Sequence, residues 1–321
     1  MSSQSHIRAA AALSSLETKI RAVCDPQVAQ SLLDWMNSLP RTGVAADFFT
    51  QRSMFPMLQL PEWMAETAGV GGDENFQAGL AYSTINGYYF IRLVDNVMDG
   101  HGVRDLGLLP MAAFFHAEFQ GVYQRWFDWS HPFWSSFQSL WFASAGAVCR
   151  ESLLDEMNLD EFRATAAHKL CAAKIPLIAV HEKCGKSTEL PAWLDFAQRL
   201  AEWWQFLDDL ADWHSDQARC RCTYFLSEAQ IRRRSGESIH CWVAREGFQW
   251  GIDTLAEWMR RLRACSENLH SIAVTAFLDD SMDLVTVMSR EILPGLEALR
   301  RLANAMEPEP PDAQPLQAFT H

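Results

Sequence analysis

The sequence predicts an all-α protein, a single-domain helical bundle, and three observations carry that expectation. Apolar residues recur at three- and four-residue spacings along nearly the whole chain, while the alternation of half-buried strands is weak. Hydrophobic residues make up 49% of the 321, enough for a large core. Turn-forming residues fall in short punctuating clusters, with no repeat and no linker long enough to divide domains.

Residues 1–17 read as an N-terminal segment, and the helical domain is expected over 18–306. SLPRTG (38–43) and GVGGDE (69–74) read as loops. The apolar helix after them ends in YYFIRLVDNVMDG (88–100), which carries Asp95 and Asp99. Residues 114–142 hold twelve aromatic side chains, several on one helical face. They read either as packed core or as a cavity wall whose π faces stabilise positive charge, and the residues alone leave both open. CGKSTELP (184–191) separates two helical runs, with Pro191 in the first turn of a helix through Trp213, where proline is tolerated. RRRSGES (232–238) reads as a mobile loop that could order over a bound anion. Trp242, Trp250 and Trp258 repeat every eight residues, drift around a helix, and read as packing. The proline-rich EPEPPDAQPLQAFTH (307–321) is expected to be a disordered tail.

A net charge of −13 argues against a nucleic-acid or anionic-membrane surface. It leaves room for an anionic ligand at a site where bound cations reverse the local sign. The eight cysteines are scattered without paired CxxC motifs and read as reduced thiols. No window resembles a secretory leader or a membrane span. The expectation is a cytoplasmic protein with no nucleic-acid partner and no stable membrane insertion.

WWQFLDDLADWHSDQARCR (203–221) is the most informative stretch. Asp209, Asp212 and Asp216 step by three and four and share a helical face, with Asp208 beside them. Their neighbours Trp203, Trp204, Phe206, Leu207, Leu210 and Trp213 imply burial, where uncompensated like charges are costly. A solvated acidic face is the plain alternative. The second acidic pair on another apolar helix favours carboxylates that hold hard divalent cations, which prefer oxygen ligands. Opposed acidic helices could hold several Mg²⁺ ions and bind a diphosphate as a leaving group. A di-iron bundle needs inward Glu-x-x-His pairs, and HAE (116–118) and HEK (181–183) have the wrong spacing.

With these residues in view, the chain resembles the class I isoprenoid synthase superfamily over most of its helical part. QFLDDLAD (205–212) is similar to the second aspartate-rich motif of trans-prenyl diphosphate synthases. DNVMD (95–99) stands where that family has DDxxD, with Asn96 in place of the second Asp, and also suits the DxxxD of squalene and phytoene synthases. HKLCAAKIPL (168–177) resembles the lysine-bearing helix between the motifs. The resemblance implies a bundle around a central active-site cavity, a homodimer, and about three Mg²⁺ ions. Asp95, Asp99, Asp208, Asp209 and Asp212 become catalytic metal ligands, with Asp216 completing an i, i+3, i+7 set. Arg104, Lys174, Gln205, Arg219 and Arg221 become diphosphate contacts, and Tyr88, Phe90, Arg92 and Trp204 cavity-lining residues. Solvated surface remains the plain reading for Arg219 and Arg221. His101, His168 and His214 flank the motifs and read as structural hydrogen-bonders.

Departures from the family fall on the side that would bind isopentenyl diphosphate. Asp105 replaces an arginine, QRSMFP (51–56) keeps Arg52 but puts Phe55 where an arginine belongs, and Tyr88 stands for a histidine. Aspartate in place of a basic diphosphate ligand turns attraction into repulsion. The pattern implies a terpene synthase that ionises one allylic diphosphate, FPP or GGPP, and adds no isopentenyl unit. The alternatives are a prenyltransferase, elongating or head-to-head, and a non-catalytic partner subunit of a prenyl synthase.

Overall fold

The computed structural model describes residues 3–40, 42–50, 54–100, 103–185 and 189–306, and among these every regular element is helical. The tail at 307–321 lies outside the described residues.

Helix α1 (Ser3–Val23) begins well before the expected start at residue 18, which falls inside it. Ala9, Ala12, Leu13, Leu16 and Ile20 are buried on one face, so the N-terminal segment is part of the core. Each fully buried Leu or Ile there contributes about 1.5–3 kcal/mol. Helix α2 (Pro26–Ser38) starts where the Asp25 side chain accepts from the Gln27 N–H, with Pro26 in its first turn. The short α3 (Ala45–Thr50) and α4 (Gln59–Thr67) follow. The long α5 (Glu74–Met98) is capped by Asp73 at its start and by Asp99 at its end.

Next come α6 (Val103–Leu108), α7 (Ala112–Tyr123) and α8 (Phe133–Glu151). A capping box of Asn158 and Glu161 starts α9 (Leu159–Lys169). The chain breaks at Leu170 before α10 (Cys171–Lys183), which carries Pro176 inside it. Helix α11 (Leu190–Ala218) has Pro191 in its first turn, as the sequence predicts, and runs past Trp213 to the end of the acidic stretch. Thr223 caps α12 (Tyr224–Arg232), and Ser238 caps α13 (Ile239–Trp242). A π-helical turn, Val243–Gly247, leads into α14 (Phe248–Ser266), and α15 (Ile272–Met306) closes the bundle.

The gap at 232–238, expected to be mobile, is tied down. Arg245 donates to Glu237 at 2.8 and 2.9 Å, and the Arg234 N–H donates to it at 2.8 Å. Those bonds hold the Glu237 carboxyl down at about 2.

Two apolar clusters meet along α5. Ala81, Ile85, Tyr89 and Leu93, stepping by four, join the α1–α2–α3 cluster with Trp35, Phe49 and Phe115. Phe76 and Leu80 join the larger cluster built on α8, α10, α11, α12 and α14. A helix shared between two cores reads as apolar almost throughout. α10 packs on both α5 and α11, which hold most of the candidate site residues. Behind α11, α14 approaches closely at Gly251, where a Cβ would sit 2.6 Å from Leu210 Cδ1.

Among the described residues no helix is long and apolar enough to cross a membrane. All eight cysteines carry free thiols.

Candidate active site

Residues 88, 92, 95 and 99 step by four, three and four and share one side of α5. Asp95 and Asp99 keep 39% and 26% of their side-chain surface exposed. Asp95 Oδ2 is 3.8 Å from the guanidinium of Arg92. Asn96, one residue round the helix, turns away. Its amide donates to Asp105 Oδ2 at 2.7 Å, and both side chains are buried. Two of the departures from the motifs the chain resembles are therefore one pair: an Asp at 96 would set carboxylate against carboxylate, where the amide supplies a donor.

On α11, Asp209 and Asp216 are buried, whereas Asp208 and Asp212 remain accessible. Burial pushes the Asp209 carboxyl up to about 7, helped by Asp208 and Asp216 and opposed by the hydrogen bond from Gln205 Nε2 at 2.9 Å. Desolvation also raises Asp208, with Asp212 and Asp216 adding to it and Arg92 and Lys169 opposing. Asp208 thus keeps accessible surface and yet is hemmed by protein atoms that disfavour its charged form. Asp216 is raised by burial first, with Arg221 opposing.

The two acidic helices meet through Arg221. Its Nη2 lies 2.6 Å from Asp99 Oδ2 and its Nη1 lies 3.7 Å from Asp216 Oδ1. A Schellman turn aims it there. The Arg221 N–H bonds back to the Asp216 carbonyl at 2.9 Å and the Cys220 N–H to the Gln217 carbonyl at 3.1 Å. The left-handed position is taken by Cys220 at φ 53°, a place glycine usually fills. Arg219 caps α11 and lowers the pKa of Asp216.

Lys174, a diphosphate contact on the resemblance, lies buried on α10. Its Nζ donates to the Ala167 carbonyl at 2.7 Å, and burial pulls its pKa down. A buried ammonium needs that acceptor, so it closes the end of α9. Lys169, which the sequence reading passed over, acts on both Asp208 and Asp209 from the break between α9 and α10. Glu151 at the end of α8 holds it at 2.5 Å.

Aromatic rings lie a turn or two from the carboxylates on both walls. Tyr88 packs on Phe48 and Phe49, with centroids at 4.7 and 5.3 Å. Trp204, one turn before Asp208, packs on Phe55 at 6.1 Å and stacks on Phe277 at 6.2 Å. Phe55 is thus an aromatic neighbour of the acidic helix where the family pattern has an arginine. Phe90 lies about 200° round the helix from Tyr88 and meets His116 and Trp141 at 5.4 and 5.1 Å, on the α7–α8 side. Burial lowers the His168 pKa, and the His214 ring rests against Trp213 and His240 at 5.6 and 5.3 Å. The side chain of Arg104, and residues Arg52 and His101, lie outside the described residues.

Among the described residues no three His, Cys, Asp or Glu side chains are gathered as a ready-made metal site. The donor chemistry nevertheless fits a hard divalent cation: the acidic residues offer oxygen ligands only, and burial leaves their charge under-compensated. The Nε of Arg92, buried without a hydrogen-bond partner beside Asp95, fits an anion next to such a cation. No protein-family model matches the chain, and no curated protein is similar enough to count as a relative.

Proposed function

We propose that the protein is a Mg²⁺-dependent class I terpene synthase that ionises one allylic prenyl diphosphate, FPP or GGPP, and lets the cation cyclise or rearrange. The observation that carries this reading is the bridge from Asp99 through Arg221 to Asp216, which sets the ends of two acidic helices against each other. Asp95 and Asp99 on one wall and Asp208, Asp209, Asp212 and Asp216 on the other would hold the metal. Bound Mg²⁺ supplies the positive charge that makes diphosphate a leaving group.

The chain's own residues do the rest. Gln205 orients Asp209 by its hydrogen bond. Lys169, Arg92, Arg219 and Arg221 bring positive charge to the leaving diphosphate, where charge-assisted hydrogen bonds are strongest. Tyr88, Phe48, Phe55 and Trp204 form apolar walls that shield a cation from water and offer π faces to it. Asp105, held by Asn96, offers no basic contact for a second diphosphate. That favours ionisation of a single substrate over chain elongation.

The test is incubation of the purified protein with FPP, GGPP and Mg²⁺, with and without isopentenyl diphosphate. A hydrocarbon or alcohol product plus free diphosphate, formed without isopentenyl diphosphate, is expected. A longer prenyl diphosphate, formed only when both substrates are present, would overturn the reading in favour of a prenyltransferase. Absence of Mg²⁺-dependent diphosphate binding would point to a non-catalytic partner subunit.

A further inference from the structure

Arg221 holds an unusual station. One guanidinium spans Asp99 at the end of α5 and Asp216 in the last turn of α11, at 2.6 and 3.7 Å. Those are carboxylates that, on the reading above, the metal would need. The arginine is not there by drift of a long side chain. Its own backbone N–H is bonded to the Asp216 carbonyl at 2.9 Å, behind a cysteine held at φ 53°. A non-glycine residue rarely adopts that conformation unaided, so the surrounding structure enforces the turn. An arginine at this place partly satisfies the acidic walls and also competes with any cation for them.

We propose that Arg221 is a latch exchanged on binding: it closes the acidic cleft in the free protein, yields Asp99 and Asp216 to metal, and passes to the diphosphate. This rests on the metal and diphosphate reading of the cleft. Its consequence is coupling. Metal alone must break the bridge without compensation, whereas metal arriving with diphosphate gives the guanidinium a new anionic partner. Each ligand then strengthens the other by the same factor, in the usual range of about 5–150-fold. The latch thus guards the site against metal without substrate.

The test uses the full chain and two probes, Mn²⁺ alone and Mn²⁺ with inorganic diphosphate, read by titration calorimetry. Arg221→Gln is expected to bind Mn²⁺ alone about 10-fold more tightly than wild type and to lose most of the enhancement by diphosphate. Arg261→Gln removes the same charge from an exposed face of α14, where Arg261 pairs with Glu257, and is expected to bind Mn²⁺ alone nearly as wild type does. Equal tightening in both variants would mean general charge removal and would overturn the latch, as would no change in Arg221→Gln. If Arg221→Gln does not fold, Arg221→Lys keeps the charge but shortens the reach, and the same tightening is expected. Failure of every protein to bind Mn²⁺, with or without diphosphate, would sink the metal reading itself. Mn²⁺ binding that Arg221 does not modulate would sink the latch alone.

Discussion

Asp95 and Asp99 at the end of α5, and the aspartates of α11, offer the same carboxylates in different surroundings. The α5 pair is partly exposed, and each member already has a guanidinium beside it, Arg92 for Asp95 and Arg221 for Asp99. On α11, Asp209 is 4% exposed, its hydrogen bond comes from the neutral Gln205, and like charges surround it. The α5 pair has guanidinium partners, and so does Asp216 through Arg221, whereas Asp209 is met by a neutral amide. Sequence spacing makes the two motifs look alike. Burial and partners tell them apart, and on the proposed function Asp209 is the carboxylate that a metal would relieve most.

The largest test of that difference is removal of one ligand from each wall. Asp209→Asn should cost more than about 100-fold in Mg²⁺-dependent turnover, because even outer partners of metal ligands are worth 10–100-fold. Asp95→Asn should cost roughly ten times less. Steady-state rates at saturating and limiting Mg²⁺ check this, and equal losses would erase the contrast.

A second test sharpens it without metal. The folded pKa of Asp209 is about 7, above the value near 3.9 expected when unfolded. Folding therefore favours the protonated form. The resulting stability is full below pH ~4, is lost as pH rises towards 7, and is absent above it. Asp209→Asn should thus stabilise the metal-free protein at pH 8, by up to a few kcal/mol, and by far less at pH 4. Urea denaturation at the two pH values reads the difference.

The smallest expected effect concerns the back of the α5 wall. Asn96→Asp should destabilise by about 1–3 kcal/mol, since it puts two buried carboxylates together. Adding Asp105→Asn restores an amide opposite an acid and should recover most of the loss. A double-mutant cycle by thermal denaturation measures the coupling, and additive losses would show that the pair does not act as a unit.

Much of this was readable from the residues. The α11 stretch declared itself because four aspartates among tryptophans and leucines at helical spacing leave few alternatives. Helix α1 was underestimated because two of its five buried apolar residues are alanine, which carries little hydrophobic signal although Leu13, Leu16 and Ile20 complete the stripe. Lys169 and Lys174 are indistinguishable by spacing. Only the break at Leu170 separates their surroundings, leaving Lys169 on Glu151 and Lys174 on a carbonyl. The Asn96–Asp105 bond and the reach of Arg221 to Asp99 cross between elements, so no local pattern announces them.

Gly251 carries a last consequence. With no side chain there, α14 presses against Leu210, the residue that follows Asp209. A methyl group at 251 would push first on the Leu210 side chain, at the rear of the helix that carries Asp209. Affinity for an ion could thus be tuned from a position that never meets it, and searches for variants of altered activity should include the hidden side of α11.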